Sequence, residues 1–396
     1  MANAISERKD QEIPLFLLPK HWRDRDITPR RFLQHHDVYD CIVDQDAPVE
    51  KQLNQLKSRY TILANNIAQF LEEEEFLTVA GAGEWARTMP GYWPEEFALV
   101  HYYASTFGYN WGYRHLDEMK WTKAQKKQLV SRLDGYCVQE DFDSIVSHPR
   151  DNDRAWFPKH LVAAFLMKTA VETFFRHPFW YIEPLPEGQE SFTGDAEWQG
   201  VSPHGVVLEE LFAQFGKGML RPYHVNIQFA RIWRALTTRL CNQKHHPADY
   251  EKTLRARRLV RCQSLANEIL ADKVFRSLMK PITDKDQVQA REDLLARHLA
   301  KISDIAANMH SQNPCLRFET LHDLEPRFTQ ASGTMEPEYE VDLDKGETRF
   351  DGCRTLLLQY PHVLRVGYEN GMDGDTVTVQ PALAVLDFTN VLKDHH

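Results

Sequence analysis

Apolar residues at helical spacing dominate the first three-quarters of the chain. Leu53, Leu56, Tyr60, Leu63, Ile67 and Phe70 step by three and four and predict a helix from about Val49 to Glu74. "TMPGYWPEEF" puts Pro94, Glu95 and Glu96 where a helix begins, and the pattern predicts a helix from about Pro94 to Met119. Thr122 then stands as an N-cap ahead of "KAQKKQLVSRLDGY". Further helices are expected from about Pro158 to Phe175 and from Val206 to about Gln243. Another runs on to about Asn308 with an interruption near Pro281. From Leu316 the period shortens. "RTLLLQYPHVLRVGY" and "TVTVQPALAVLDF", on either side of an "ENGMDGD" turn, read as short strands.

This pattern predicts a mainly α protein, a multi-helical domain with a small β-containing C-terminal segment. The expected organisation is an N-terminal extension over 1–48, a helical domain over 49–310 and an α+β segment over 311–396. A Gly-, Pro- and acid-rich loop or lid is expected at 183–205.

Composition narrows the class. The chain has 396 residues, of which 42% are hydrophobic and 26% charged, as in ordinary globular proteins. No run of about 18 apolar residues is present to span a membrane, and the opening residues lack the apolar core of a signal peptide. The six cysteines are scattered, without CxxC. They read as reduced thiols, and the expected location is cytoplasmic.

The net charge is −10, yet residues 231–261 hold nine Lys/Arg against two acids. Arg231, Arg234, Arg255, Arg257, Arg258 and Arg261 therefore form a candidate phosphate-binding track, for RNA rather than DNA, because guanidiniums suit bidentate phosphate contacts. Salt bridges with the acidic remainder of the chain are the other reading.

The run "STFGYNWGYRHLDEMKW" spends two glycines inside a predicted helix, each costing about 1 kcal/mol against alanine. Continued as a helix, it puts His101, Ser105, Gly108, Gly112 and His115 on one face, followed by Glu118. Either the glycines admit a second helix at close range, or they open room for a ligand read by the polar groups. The candidate acid–base and hydroxyl residues are Ser105, Tyr113, His115 and Glu118. His101, Glu209 and Glu210 are candidate substrate contacts. No cofactor is expected: there is no phosphate-binding glycine loop, and "GAG" at 81–83 lacks its context. A metal site would need ligands from several helices, since His101 and His115 lie roughly 21 Å apart along one helix, and no HExxH spacing is present. Ser202, in "GVSPHG", reads as a turn residue rather than a nucleophile elbow.

"STFGYNWGYRHLDEMKW", "HPFWYIEP" and the tail "TLLLQYPHVLRVGYENGMDGDTVTVQPALAVL" resemble a large set of ascomycete proteins over most of the chain. Among functionally assigned fungal proteins of this size, the chain resembles the arginine-containing cyclodipeptide synthases. The resemblance implies a transferase of secondary metabolism. It would use aminoacyl-tRNA to join an arginyl and a second aminoacyl group into a cyclic dipeptide. Because the aminoacyl ester is already activated, no ATP site is needed. A non-enzymatic helical scaffold and a metal-dependent helical enzyme are the competing expectations.

Overall fold

The computed structural model describes residues 47–58, 60–61, 92–149, 154–183, 202–216, 225–242, 250–312, 314–338, 348–366 and 376–389. The chain falls into two compact units, 1–76 and 77–396. In the first, residues 49–58 are helical, as the Leu53 and Leu56 spacing predicts. Residues 60–61 are helical as well, and the rest of that expected helix, to 74, lies outside the described residues, as do 184–201 of the loop expected at 183–205 and the "ENGMDGD" turn; residues 203–205 of that expected loop are already helical.

The second unit is mainly helical, with two small sheets built from its C-terminal residues. Helix α1 (Tyr92–Trp111) is followed by α2 (Lys123–Arg132), α3 (Phe142–Ser147) and α4 (Phe157–Ala170), which runs on as a π turn over Val171–Phe175. Then come α5 (Pro203–Gly216), α6 (Val225–Cys241), α7 (Tyr250–Ala271), α8 (Lys273–Ser277) and α9 (Lys285–His310). Local sequence explains several starts. Thr122 caps α2 in a reciprocal capping box with Gln125, and Asp272 and Asp284 cap α8 and α9. Ser202 is the turn residue expected of it: its Oγ accepts from Gly205 N–H at 2.7 Å and donates to the Ile182 carbonyl.

The two extended runs near the C-terminus each divide at a proline. β3 (Thr355–Tyr360) and β4 (His362–Val366) meet at Pro361; β5 (Val377–Gln380) and β6 (Ala382–Leu386) meet at Pro381. A proline lacks the N–H that a ladder needs. β3 and β6 pair with β2 (Met335–Pro337) in one sheet, ordered β2-β6-β3. β4 and β5 pair with β1 (Cys315–Glu319) in the other, ordered β1-β4-β5. One long hairpin is thus shared between two sheets.

Among the described residues, helices and strands enclose one hydrophobic core. Phe97 and Phe107 of α1, Phe157 of α4, Phe318 of β1 and Leu383 of β6 all belong to it. The strands of 311–396 therefore share the core of the helices rather than one of their own.

The glycine pair has a packing role. Helix α1 lies along α4, and a Cβ on Gly108 would sit 3.1 Å from Val162 Cβ and 3.2 Å from the Lys159 carbonyl oxygen. The helix does not continue to Met119. It ends at Trp111, where Gly112 bridges to Met279 and Tyr113 N–H bonds the Leu278 carbonyl. Long-range pairing outcompetes further helix growth. Residues 116–118 form a separate 3₁₀ turn.

Candidate functional site

On α1, Ser105 and His101 lie one turn apart, and Ser105 Oγ is 2.9 Å from His101 Nε2. The same nitrogen faces Gln359 Oε1 at 3.4 Å, and the ring meets the Tyr360 ring edge-on at 6.3 Å. Gln359 is delivered by a break in its strand. Leu358 pairs with Ala384 and Tyr360 with Leu383, so Gln359 is the extra residue of a β-bulge. Bulges re-aim a side chain relative to the regular ladder. This amide is buried, with its Oε1 turned to α1.

Behind Gln359 lies His160 of α4, wholly buried. Its Nδ1 is 4.0 Å from Glu338 Oε1, at the end of β2. Neither ring nitrogen of His160 has a hydrogen-bond partner among the described residues, and the Gln359 amide nitrogen also lacks one. Buried polar atoms are seldom left so. Four elements thus carry Ser105, His101, Gln359, His160 and Glu338 into one polar cluster inside an apolar core.

Both imidazoles are held neutral. Burial drives His101 down to about 4, with the Gln359 hydrogen bond opposing and the Lys159 charge adding to the fall. Burial, Lys159 and the neighbouring His101 bring His160 down to about 3. A neutral His101 can take the Ser105 proton on Nε2 when Nδ1 carries the ring hydrogen.

The structure brings together two of the expected site residues, Ser105 and His101, and separates the others. Because α1 stops at Trp111, His115 and Glu118 leave the shared face and are exposed on the 3₁₀ turn. Tyr113 packs against the core beside that turn. Glu209 of α5 is engaged by His177 at 2.9 Å, and this bond is the first cause raising the His177 pKa. Glu210 is exposed.

The expected arginine track is mostly internal. Arg231, Arg234, Arg257, Arg258 and Arg261 are buried and Arg255 is exposed. Arg234 donates to the carbonyls of Gln312 and Pro314, and Arg239 Nε to that of Ser311 at 2.7 Å, just past the end of α9. They satisfy carbonyls of the chain leaving α9, which has no ladder of its own there. Arg258 bonds Asp304 at 3.1 Å and lies over the Tyr181 ring. Arg257 donates to the Glu183 carbonyl at 3.1 Å, and Arg261 to Glu268 at 2.5 Å. Arg234, Arg239, Arg257, Arg258 and Arg261 are thus engaged by acids and carbonyls of the same chain. The i, i+3 and i, i+4 spacing could not reveal this, because it gives a helix face without saying what covers it.

Sequence reading missed His160, Gln359 and Glu338. Their only local signal is polarity within apolar runs, as in "TLLLQYPH". Among the described residues, no group of three or more His, Cys, Asp or Glu side chains is placed to hold a metal ion. No described helix is long and apolar enough to cross a membrane. Comparison with family models, with curated proteins and with solved structures gave no match.

Proposed function

We propose that the chain is an acyl-transfer enzyme in which Ser105 accepts an acyl group from an activated ester and His101 moves the proton. The contact between Ser105 Oγ and His101 Nε2 carries this reading, because it joins a hydroxyl to an imidazole kept in its basic form. As Oγ bonds to the ester carbon, its proton passes to Nε2 and then to the leaving oxygen. The reverse transfer releases the acyl group to an amine. Gln359 Oε1 faces the same nitrogen and accepts its hydrogen once the proton has moved onto Nε2.

The resemblance in the sequence supplies the donor, an aminoacyl-tRNA, and the product, an arginine-containing cyclic dipeptide. In this reading Glu338, brought beside His160, receives the substrate's amino or guanidinium group. Among the substrate contacts expected from the sequence, Glu209 and Glu210 are the carboxylates. RNA contact falls to exposed bases: Arg114, Lys120, Lys123 and Lys127 after α1, and Arg255 on α7. The scaffold alternative draws on Leu259 and Val260, exposed on α7 at 51% and 37%.

The test is expression in a host that supplies charged tRNAs, with mass spectrometry of the extract. The reading predicts a new arginine-containing diketopiperazine that disappears with Ser105→Ala. A clean extract from abundant, folded protein contradicts it.

A further inference from the structure

A hydroxyl–imidazole–carboxylate arrangement lies on the β1-β4-β5 sheet, and it uses all three strands. His362 of β4 is buried. Its Nδ1 is 3.0 Å from Glu319 Oε2 of β1, and its Nε2 is 3.1 Å from Thr378 Oγ1 of β5. Arg317 holds the other Glu319 oxygen at 2.5 Å. Thr378 is exposed.

The register shows how the three meet. Glu319 is directly opposite His362 across the β1–β4 ladder, so both side chains share a face. On the other side, Leu364 is opposite Thr378 but Val363 is opposite Gln380, which leaves Val379 as the extra residue of a bulge. In an unbroken ladder continued from the Val363–Gln380 pair, Thr378 would fall opposite Arg365 and point away from His362. The bulge turns its hydroxyl onto the face of Leu364 and His362. Bulges gather beside active sites because they re-aim a side chain in this way.

Hydrogen-bond chemistry fixes the roles. An ionised Glu319 only accepts, so His362 Nδ1 carries a hydrogen. In the neutral ring Nε2 is then the acceptor, and the Thr378 hydroxyl donates to it. The two ring nitrogens thus serve different partners, the order of a nucleophile, a base and an orienting acid. At the Ser105 cluster, by contrast, Ser105 Oγ and Gln359 Oε1 both face one nitrogen of His101.

We infer that Thr378 is a nucleophile for activated acyl esters, with His362 as its base and Glu319 as the residue that positions the imidazole. Thr378 Oγ1 forms a bond to the acyl carbon while the bond from that carbon to the leaving oxygen breaks. The hydroxyl proton goes to His362 Nε2 and from there to the leaving oxygen. Water then cleaves the Thr378 ester by the same route. The inference stands apart from the reading of Ser105.

The experiment treats the full chain with p-nitrophenyl acetate and follows acetylation peptide by peptide. Acetyl-Thr378 is expected in the native chain and in Ser105→Ala, and acetylation at the same position is expected in Thr378→Ser. It should form about a hundredfold more slowly in His362→Gln, the scale of a lost general base. Because His362 is buried, Glu319→Gln, nearer the surface, provides a second variant. It should also slow labelling at least tenfold. No label on Thr378 in the native chain, or labelling at native rate in Glu319→Gln, would overturn the assignment.

Discussion

Gly108 on α1 faces Val162 on α4 at a distance that a methyl group would crowd. A Cβ there would lie 3.1 Å from the valine Cβ and 3.2 Å from the Lys159 carbonyl oxygen. The neighbouring residue of α4, His160, belongs to the Ser105 cluster. Spacing between these two helices therefore sets both the core and the site. Gly108→Ala should destabilise the protein by about 1–3 kcal/mol, the usual cost of overpacking, despite alanine's better helix propensity. A urea midpoint equal to or above that of the native protein would contradict this packing account.

The pH dependence of acyl transfer should mark His101 as a buried base. A base acts only when deprotonated, and burial holds this imidazole down to about 4. Activity should persist as pH falls through the ordinary histidine range near 6.5 and be lost as it passes about 4. An acid limb centred near 6.5 in the kcat/KM profile would remove His101 from the role.

Two wholly buried histidines should make the fold acid-sensitive. Burial is the first cause bringing His160 and His310 down to about 3. His310 Nε2 donates to the Phe174 carbonyl at 3.0 Å, which opposes the fall. Above about pH 6.5 neither the folded nor the unfolded ring takes a proton. Below it the unfolded rings do and the folded rings do not, so stability declines progressively down to about pH 3. The decline should reach a few kcal/mol and shrink in His160→Gln. Equal urea midpoints for the native chain at pH 7.5 and pH 4.5 would contradict it.

Arginines in the basic segment should divide by burial rather than by spacing. Arg234→Ala leaves the carbonyls beyond α9 without their donor and should cost about 2–4 kcal/mol. Arg255→Ala, on the exposed side of α7, should stay within about 0.5 kcal/mol. Thermal unfolding of the two variants side by side checks this, and equal losses would contradict it.

Local signals carried much of the architecture. Apolar spacing marked most helices, Thr122 marked the start of α2, and extended apolar runs marked the C-terminal strands. Long-range events escaped them. Gly112 leaves α1 to bridge Met279, which scatters the face on which His115 and Glu118 were placed. Pro361 and Pro381 divide runs that read as single strands. Of the site, Ser105 and His101 were legible because they are one turn apart. Gln359 reaches them across 258 residues, through a bulge that a missing ladder partner reveals and a sequence does not.

The central claim is that Ser105 becomes acylated. The direct measurement is to mix purified protein with a charged tRNA pool, quench in acid and map the mass of every peptide. The account predicts an aminoacyl increment on the peptide holding Ser105, removed by hydroxylamine, absent in Ser105→Ala and strongly reduced in His101→Gln. Turnover of aminoacyl-tRNA with Ser105 unmodified, or undiminished in Ser105→Ala, would contradict it.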